Sequence, residues 1–378
     1  MILSINRAIL FMEDWGKGGD FMEKQSILLT AAINIPAMLI MAAIVWNSHS
    51  ITRRQRNHFC LVYLNIVVII LLELIAIYVN RTAPAYRWLN ILSNYLGFSL
   101  IPLVPVVCAG AISDYRSSRW LLRLLVIYGV IMLFSSRFHI VFAVDENNCF
   151  HRGRYYWFFV AVYGVCVAHL AYMTAKLNFE YQNSNLLIVG LLIAFLVFST
   201  VIQILNPKIY VTWTCASLMS VIYYIYCTEL WLQVDGLTSL LNHGSYLRRM
   251  GELSPGSTLI LFDVDKFKQV NDTHGHLFGD AALKWISKCI RNVYGGDGLC
   301  YRIGGDEFAV IVARKNYDPE EKRLKFQKLV RANRVVRPGM PDVSLGWAVY
   351  KDGMSTRDLI GQADRNMYDN KHEKPTIV

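Results

Sequence analysis

The chain has 378 residues, of which 54% are hydrophobic and 17% are charged, and its formal net charge is +10. This composition excludes an intrinsically disordered chain and an ordinary soluble domain, because both need a larger charged fraction. Eight cysteines are scattered without a Cys-x-x-Cys pair or a histidine at metal spacing, which argues against disulfide bonds and zinc.

The apolar residues are concentrated in seven runs before residue 230. Most are close to the roughly 20 residues that a helix needs to span a bilayer. The runs are Ser26–Trp46, Phe59–Val79, Leu89–Ile112, Leu121–Phe134, Tyr155–Thr174, Leu186–Leu205 and Ile209–Cys227. We expect residues 26–227 to form a membrane all-α helical bundle of about seven transmembrane helices, which acts as a sensor domain.

Positively charged loops set the expected orientation. Arginines or lysines follow the first, third and fifth runs, namely Arg53, Arg54, Arg56, Arg116, Arg119 and Lys176. By the positive-inside rule these loops are cytoplasmic, so residues 1–25 form an extracytoplasmic N-terminus and the chain after the seventh run is cytoplasmic. The sequence therefore predicts a multi-pass protein of the inner (plasma) membrane.

Three ionisable side chains stand in or beside the apolar runs, where charge is costly and often indicates function. Glu73 lies in the outer part of the second predicted helix, and Arg137 and His139 lie near the outer end of the fourth. They could line one pocket for an unknown extracytoplasmic or membrane ligand. Alternatively, Glu73 and Arg137 only neutralise each other, or Arg137 and His139 already belong to a loop. The segment from Phe138 to Tyr155 is expected to form a hairpin over that pocket.

Residues 228–234 join the last predicted helix to the C-terminal part, and we expect a short connecting helix there. Seven residues are too few for a coiled coil, whereas a rigid helix of about 10 Å would transmit any movement of the last membrane helix. We therefore expect dimer contacts in the membrane part, and we expect the ligand or lipid state to set how two catalytic half-sites meet.

The C-terminal part contains an acidic turn between two short apolar runs. Gly304-Gly305-Asp306-Glu307 separates Leu299–Ile303 from Phe308–Val312, which is typical of a β-hairpin with acids at its tip. Upstream, the strand-like run Thr258–Phe262 leads into Asp263-Val264-Asp265. Two such clusters would hold a hard divalent cation, which indicates nucleotide chemistry, although the glycine pair and Asp306 also suit a plain β-turn.

Three further segments carry polar residues that an ordinary turn does not need. They are Asp235 to Asn242, Phe262 to Asp280, and Ala363 to Tyr368. Together with the turn, these ordered motifs resemble the GGDEF diguanylate cyclase domain over residues 235–378. The predicted helix number is similar to that of seven-helix sensor modules. For the cytoplasmic domain the resemblance implies an α/β (α+β) fold. Its central, mainly antiparallel sheet would be flanked by helices, like the palm of nucleotide cyclases and polymerases.

The resemblance also implies an activity, a cofactor and partners. A homodimer would condense two GTP molecules into cyclic di-GMP and two pyrophosphates with Mg²⁺ or Mn²⁺, and no nucleic acid partner is expected. The implied metal ligands are Asp263, the carbonyl of Val264, Asp306 and Glu307; the implied catalytic residues are Asp306, Glu307 and Lys268; and the implied substrate-binding residues are Asn271, Asp280, Gly304, Gly305 and Lys371. Which carboxylate acts as the general base stays open.

Asp280 favours guanine as the base. Guanine presents N–H donors on one edge, which an acceptor such as Asp280 beside the amide of Asn271 matches, whereas adenine would leave the carboxylate unpaired. An unpaired buried acceptor costs about 1–3 kcal/mol, enough for roughly tenfold discrimination. The alternative role for Asn271 and Asp280 is helix capping, which both residue types favour.

The chain departs from the family pattern at two places. The product-inhibition site needs Arg-x-x-Asp before the turn, but this chain has Gly295-Gly296-Asp297-Gly298, so we expect no strong inhibition by cyclic di-GMP. The family commonly has Ala-Lys and a later basic residue after the final tyrosine, whereas Asp369-Asn370-Lys371-His372-Glu373-Lys374-Pro375 follows Tyr368 here, so one phosphate contact stays open. Two other functions stay open: a catalytically inactive receptor for GTP or cyclic di-GMP, and a transporter with a regulatory tail, for which no internal repeat speaks.

Overall fold

The structure is a computed structural model that describes residues 18–112, 115–182, 186–205, 212–315 and 317–373. It divides the chain into two compact units. The first unit comprises residues 1–179 and 184–228, and the second comprises residues 180–183 and 229–378. Most of the predicted extracytoplasmic N-terminus, residues 1–17, lies outside the described part of the chain.

The first unit is built from helices and one small hairpin. Its helices are α1 (Gly18–Trp46), α2 (Arg53–Val79), α3 (Arg87–Leu100), α4 (Leu103–Ile112), α5 (Tyr115–Leu133), α6 (Ser135–Phe138), α7 (Tyr156–Glu180), α8 (Leu186–Leu205) and α9 (Thr212–Leu232). Within the described ranges, five helical segments are long and apolar enough to cross a membrane: Lys24–Trp46, Arg53–Val79, Pro84–Ile112, Tyr156–Glu180 and Thr212–Leu232. Trp120–Leu133 in α5 is apolar but shorter.

The third predicted run is divided between two helices. The run from Leu89 to Ile112 is interrupted between Leu100 and Leu103, where α3 ends and α4 begins. Pro102 lies in this gap. Proline has no backbone N–H, and its ring clashes with the carbonyl four residues earlier, so it ends or kinks a helix. The helical character of the run is confirmed, and its continuity is broken by this residue.

The predicted hairpin between Phe138 and Tyr155 is present. Strands β1 (Phe142–Val144) and β2 (Phe150–Arg152) pair in antiparallel register. Asn148, in the turn, has a φ of 60°. Its buried side chain donates to the carbonyl of Val79 at 2.7 Å and accepts from the amide of Asn90 at 2.9 Å. This one side chain therefore fastens the hairpin to α2 and α3.

The predicted sensor residues Glu73, Arg137 and His139 do not share contacts in the described part of the chain. Glu73 hydrogen-bonds with the side chain of Trp213, which belongs to α9. Arg137 and His139 are exposed, and His139 ends α6 in the left-handed conformation with a φ of 52°. In the part of the chain that the structure describes, no ion pair joins Glu73 to Arg137. A shared pocket for these residues stays a prediction.

The second unit contains an antiparallel sheet flanked by helices, as predicted. The strands are β3 (Thr258–Val264), β4 (Leu299–Arg302), β5 (Glu307–Val312) and β6 (Val343–Val349), in the order β4-β5-β3-β6. The helices are α10 (His243–Met250), α11 (Phe267–His274), α12 (His276–Tyr294), α13 (Pro319–Val336) and α14 (Thr356–Glu373). The strands predicted before and after the glycine pair, and the strand predicted at Thr258–Phe262, are all confirmed.

Alternate residues of β3 enter two cores on opposite faces of the sheet, as the strand period of two requires. Ile260 and Phe262 pack with side chains of α12 and α13, whereas Leu259 and Leu261 pack with side chains of α10 and α14. Because both faces are covered, the strand sequence is a continuous apolar run rather than an alternating one. The buried sheet fixes the strand ends at which the acidic residues stand.

The outer edge of β4 is covered by two segments of the second unit. The Leu241 N–H donates to the carbonyl of Cys300 at 3.0 Å. The side chain of Gln182 accepts from the Cys300 N–H at 2.9 Å and donates to the carbonyl of Gly298 at 3.0 Å. An uncovered edge strand exposes unpaired backbone groups, so these bonds stabilise the start of the hairpin strand.

Candidate active site

The two acidic clusters predicted from the sequence meet across neighbouring strands. Asp263, near the end of β3, is directly opposite Glu307, the first residue of β5, in the antiparallel register. The Val264 N–H also donates to the carbonyl of Asp306 at 3.2 Å. Side chains of directly opposed residues in such a pair lie about 5 Å apart at Cβ. The sheet therefore brings the carboxylates of Asp263 and Glu307 to one end of the domain.

The glycine pair forms the tight turn between β4 and β5. The N–H groups of Ile303 and Gly304 both donate to the carbonyl of Glu307, at 3.0 Å and 3.3 Å. A Cβ atom added at Gly304 would lie 2.6 Å from the carboxylate of Glu307, so a side chain there would displace that group. Gly305 is exposed at the tip of the turn. Glycine at position 304 is thus needed for Glu307 to keep its place.

Helix α14 reaches the acidic residues because it packs very closely on β6. A Cβ added at Gly346 would lie 2.1 Å from the backbone nitrogen of Met367 and 2.5 Å from the carbonyl oxygen of Ala363. Only glycine allows this approach of helix to strand. The close packing carries the last turns of α14, including Lys371, to the end of β3.

Lys371 binds the carboxylates at the end of β3. Its Nζ lies 2.5 Å from Oδ1 of Asp263 and 3.8 Å from Oδ1 of Asp265. Partial burial alone would lower the pKa of Lys371, but the hydrogen bond and charge of Asp263 outweigh it and raise that pKa above its usual value. The charges of Asp265 and Asp306 act in the same direction. A cation is therefore favoured among these acids.

Glu307 stands in a strongly anionic environment. Burial raises the pKa of its carboxyl group, and the negative charges of Asp306, Asp263 and Asp364 raise it further. Asp364 belongs to α14, so acids from three separate segments act on one carboxyl group. Like charges so close together oppose ionisation, and a bound cation relieves that repulsion.

The donor atoms at this place suit a hard cation. Carboxylate oxygens of Asp263 and Asp306 and the carbonyl of Val264 are oxygen ligands of the kind that Mg²⁺ prefers, and Mg²⁺ commonly completes its shell with water and substrate phosphates. The ammonium of Lys371 already binds Asp263, which demonstrates that the place accepts positive charge. Among the described residues, no three His, Cys, Asp or Glu side chains form a group able to hold a metal by themselves.

The other predicted substrate residues lie on α11 and α12. Lys268 is exposed in the first turn of α11, and Asp280 is exposed near the start of α12. Neither makes a hydrogen bond or ion pair with another described residue, so both side chains are available to a ligand. Asn271 lies against Gly279, where an added Cβ would be 1.9 Å from the Asn271 Oδ1. That contact holds Asn271 close to the start of α12.

Two residues that sequence reasoning left without a role support the turn. Arg302 donates from Nη2 to the carbonyl of Gly305 at 2.8 Å and from Nη1 to Oδ1 of Asp235 at 3.1 Å. Asp235 also accepts from the N–H and hydroxyl of Thr238. Burial alone would raise the pKa of Asp235, but the Thr238 hydrogen bonds and Arg302 lower it. Two signals for this support are present in the sequence: Arg302 stands just before the glycine pair, and Asp235 is the first residue of the first motif.

Ser344 is a further neighbour of the site that the sequence did not indicate. Its hydroxyl donates to Oδ1 of Asp265 at 2.7 Å, and Ser344 is fully buried in β6 opposite Asp263. The hydrogen bond orients Asp265 at the end of β3. Serine in an apolar strand carries no chemical signature by itself, so only the strand register reveals this contact.

The geometry at Gly298 bears on the missing product-inhibition motif. A Cβ at Gly298 would lie 2.5 Å from the carbonyl oxygen of Ile311 and 2.9 Å from the side chain of Val312. The aspartate that the inhibitory motif requires would therefore not fit without a shift of β5. Asp297, one residue earlier, is paired with Lys322 at 2.5 Å.

Comparison with known proteins finds a family match within the second unit. Residues 232–376 match the family model described as "Diguanylate cyclase, GGDEF domain". Diguanylate cyclase VdcA of Vibrio cholerae is 31% identical over 148 residues, which cover 36% of this chain and 44% of that protein. Diguanylate cyclase DgcN of Escherichia coli is 30% identical over 151 residues, which cover 37% of each chain.

Two further likenesses concern a membrane protein and a solved domain. An uncharacterized membrane protein of Staphylococcus aureus (strain USA300) is 29% identical over 156 residues, covering 37% of this chain and 43% of that protein. The GGDEF domain of DgcB from Caulobacter crescentus, solved in complex with c-di-GMP, is 28% identical. The match covers 37% of this chain and 90% of the solved chain, and its TM-score is 0.34. The chain spans less than half the length of these curated relatives.

Proposed function

Because residues 232–376 form a GGDEF domain, we propose that the protein is a membrane-bound diguanylate cyclase that condenses two GTP molecules into cyclic di-GMP and two pyrophosphates. The observation that supports this most directly is the meeting of Asp263, Glu307 and Lys371 at one end of the sheet. The named cyclases among the relatives support the same reaction.

The residues match the charge that the reaction develops. Attack of a 3′-hydroxyl on an α-phosphate builds negative charge on the phosphoryl oxygens, so cations must be in position beforehand. Lys371 and Lys268 would supply side-chain charge to the phosphates. Mg²⁺ or Mn²⁺, held by Asp263, the Val264 carbonyl, Asp306 and Glu307, would neutralise the triphosphate when bound.

Asp263 has to exchange its partner when substrate enters. In the structure its carboxylate binds the ammonium of Lys371. A triphosphate carries more negative charge than one carboxylate, so we expect Lys371 to turn toward the phosphates and leave Asp263 to the metal. The exposed position of Lys371, whose side chain is 39% exposed, leaves room for this change of rotamer.

Glu307 and Asp306 have different expected roles because their environments differ. Glu307 would either bind the cation or take the proton of the attacking hydroxyl. Its raised pKa in the metal-free site supports the second role, and a bound cation would lower that pKa again. Asp306, at the tip of the turn, would serve as a ligand of the cation. Asn271 and Asp280 would read the guanine edge.

We propose seven membrane-spanning helices, with residues 1–25 outside and the GGDEF domain in the cytoplasm, where GTP is available. The five long apolar helices, together with α5 and α8, provide seven candidates. Residues 228–232 continue α9 as helix, which supports the proposed connecting helix at 228–234. The enzyme would work as a homodimer in which each subunit presents one GTP, with its activity set by the membrane part.

The deciding experiment is a turnover assay on the purified full-length protein. With GTP and Mg²⁺ we expect cyclic di-GMP, detected by mass spectrometry, and we expect Asp306→Ala to abolish it. Asp352→Ala is the matched control, because Asp352 is exposed in a loop away from the carboxylates. If nucleotide binds without any product in the wild type, the protein is instead a receptor for GTP or cyclic di-GMP.

The same assay tests the product-inhibition site. Because Gly295 and Gly298 lack the inhibitory side chains and Gly298 has no room for one, we expect added cyclic di-GMP at low micromolar concentration to leave the rate nearly unchanged. Potent non-competitive inhibition at that concentration would contradict this reading of the segment.

A further inference from the structure

A cavity lies within the first unit among α4, α7, α8 and α9. Its empty volume is about 690 Å³ with its open mouth included. The cavity is separate from Glu73, Arg137 and His139, none of which lines it.

The side chains around the cavity exclude a charged ligand. Its walls are almost entirely apolar, with Val104, Val167, Leu170 and Met219 as examples, and no Asp, Glu, Lys or Arg contributes to them. A charge moved into such surroundings without a partner costs several kcal/mol. Phosphates, carboxylates and ammonium compounds are therefore poor candidates, whereas an uncharged apolar molecule fits.

Two hydroxyl groups at the cavity, those of Thr174 and Tyr223, have protons that are already committed. Thr174 donates from Oγ1 to the carbonyl of Leu170 at 2.8 Å. The 2.8 Å hydrogen bond between Thr174 Oγ1 and the Tyr223 hydroxyl must then be donated by the tyrosine. Each hydroxyl has one donor and two lone pairs, so the Tyr223 oxygen retains a lone pair for a further hydrogen bond.

Ser220 repeats this arrangement on the same helix as Tyr223. Its hydroxyl donates to the carbonyl of Ser217 at 2.7 Å, which leaves the serine oxygen able to accept. The oxygens of Tyr223 and Ser220 thus offer acceptors, and the hydroxyl of Tyr163, which makes no hydrogen bond with another described residue, offers a donor. An alcohol, whose O–H group both donates and accepts, matches this set, whereas a ketone or an ester would leave the acceptors unused.

We propose that this cavity binds an uncharged, mainly aliphatic alcohol, which enters from the bilayer and donates its hydroxyl proton to Tyr223 or Ser220. Its chain would lie against the apolar walls contributed by α4, α7 and α8. Binding at this place requires no catalysis, so its success or failure is independent of cyclase activity.

Photolabelling of the full-length protein in lipid nanodiscs tests the site. The probe is decan-1-ol with a diazirine on its chain, and the comparison probe is the same diazirine on decane. After irradiation and proteolysis, mass spectrometry should place the decanol label on peptides that contain residues 163–174 and 216–223. Excess decan-1-ol should displace it.

Two alanines of α7 give a matched pair of variants. Ala171 lines the cavity, whereas Ala168 is exposed on α7 and does not line it. Ala171→Leu should reduce decanol labelling at least fivefold, and Ala168→Leu should leave it unchanged. Tyr223→Phe, which keeps the ring, should reduce decanol labelling about fivefold, the value of one hydrogen bond, and leave decane labelling unaltered.

Each alternative outcome overturns a stated part. Label spread evenly over the exposed helix faces, or undiminished in Ala171→Leu, would show that the cavity is not a binding site. Equal labelling by decane and decanol, with no effect of Tyr223→Phe, would show that the hydroxyl is not recognised. Size-exclusion profiles identical to the wild type ensure that a loss of label does not arise from unfolding.

Discussion

The two units use polar side chains in opposite ways. In the first unit, pairs of uncharged polar side chains bind each other in the interior, as Tyr226 does with Asn178 at 2.6 Å and Asn90 does with Asn148 at 2.9 Å. In the second unit, charged groups gather at the ends of strands, where Asp263 meets Lys371. The difference follows from the surroundings. A charge is stable beside water and counter-charges, whereas a helix within a membrane tolerates only hydroxyls and amides that are paired.

This contrast explains why the sequence indicates a functional site in the second unit and does not indicate one in the first. The acids that we propose for catalysis include two that are neighbours in the sequence, so the turn Gly304-Gly305-Asp306-Glu307 is visible as a motif. A ligand cavity among helices is formed by single side chains from four helices, and each of them resembles an ordinary core residue.

The largest expected effect comes from removing an acid at the strand ends. Asp263→Asn should lower the rate of cyclic di-GMP formation at least about 100-fold, because it removes both a cation ligand and the partner of Lys371. Initial rates at saturating GTP and Mg²⁺ measure the effect. Asp352→Asn, an exposed loop aspartate, is the control and should retain the wild-type rate. Near-normal turnover in Asp263→Asn would remove the carboxylates from the mechanism.

In the first unit, the corresponding test removes the hydrogen bonds of a buried, uncharged side chain, that of Asn148. Asn148→Ala removes three side-chain hydrogen bonds, with Val79, Thr82 and Asn90, and a residue that tolerates a φ of 60°. We expect a loss of about 1–3 kcal/mol in stability of the hairpin region, seen as faster hydrogen exchange of β1 and β2. Asn147→Ala, exposed in the same turn, should leave exchange unchanged. Equal protection in both variants would mean that Asn148 does not fasten the hairpin.

A smaller effect is expected for the preference of the second unit for GTP over ATP. Asp280→Ser should reduce the preference for GTP over ATP about tenfold, because adenine no longer faces an unpaired carboxylate. The ratio of kcat/KM for the two nucleotides measures the effect. Asp369→Ser, exposed on α14, serves as the control. An unchanged ratio in Asp280→Ser would end the assignment of Asp280 to guanine.

The smallest expected effect concerns acid stability at Asp235. The folded-state pKa of Asp235 is lowered, so its carboxylate stabilises the fold above the unfolded pKa of about 4. That stabilisation is lost as the pH falls through the lowered folded value. The pH-dependent part of the free energy of unfolding should be smaller in Arg302→Met than in the wild type. The difference should be less than about 1 kcal/mol, because the Arg302–Asp235 pair is partly exposed and screened by solvent.

Thermal unfolding of the full-length protein between pH 6 and the acid limit measures this change. Arg314→Met, an exposed arginine, is the control for loss of one positive charge. If Arg302→Met and Arg314→Met show the same pH dependence, the guanidinium of Arg302 does not support Asp235.

The sequence by itself determined the local elements, because they depend on neighbouring residues. Period and turn chemistry predicted the strands on both sides of Gly304 and Gly305, the run at Thr258–Phe262, and the hairpin after Phe138. Helical runs were recognised by apolar length. The break at Pro102 was not predicted, although proline is a local signal, because the surrounding run is uniformly apolar.

Only the tertiary structure decided which distant residues meet. Lys371 reaches Asp263 across 108 positions because Gly346 lets α14 approach β6 closely. Glu73 contacts the side chain of Trp213 on α9, a partner that the sequence did not indicate. Such contacts depend on how whole elements pack, and packing joins residues whose separation along the chain carries no pattern. The acids and Lys371 could thus be named from the sequence, whereas the pairing of Lys371 with Asp263 and the cavity among the helices could not.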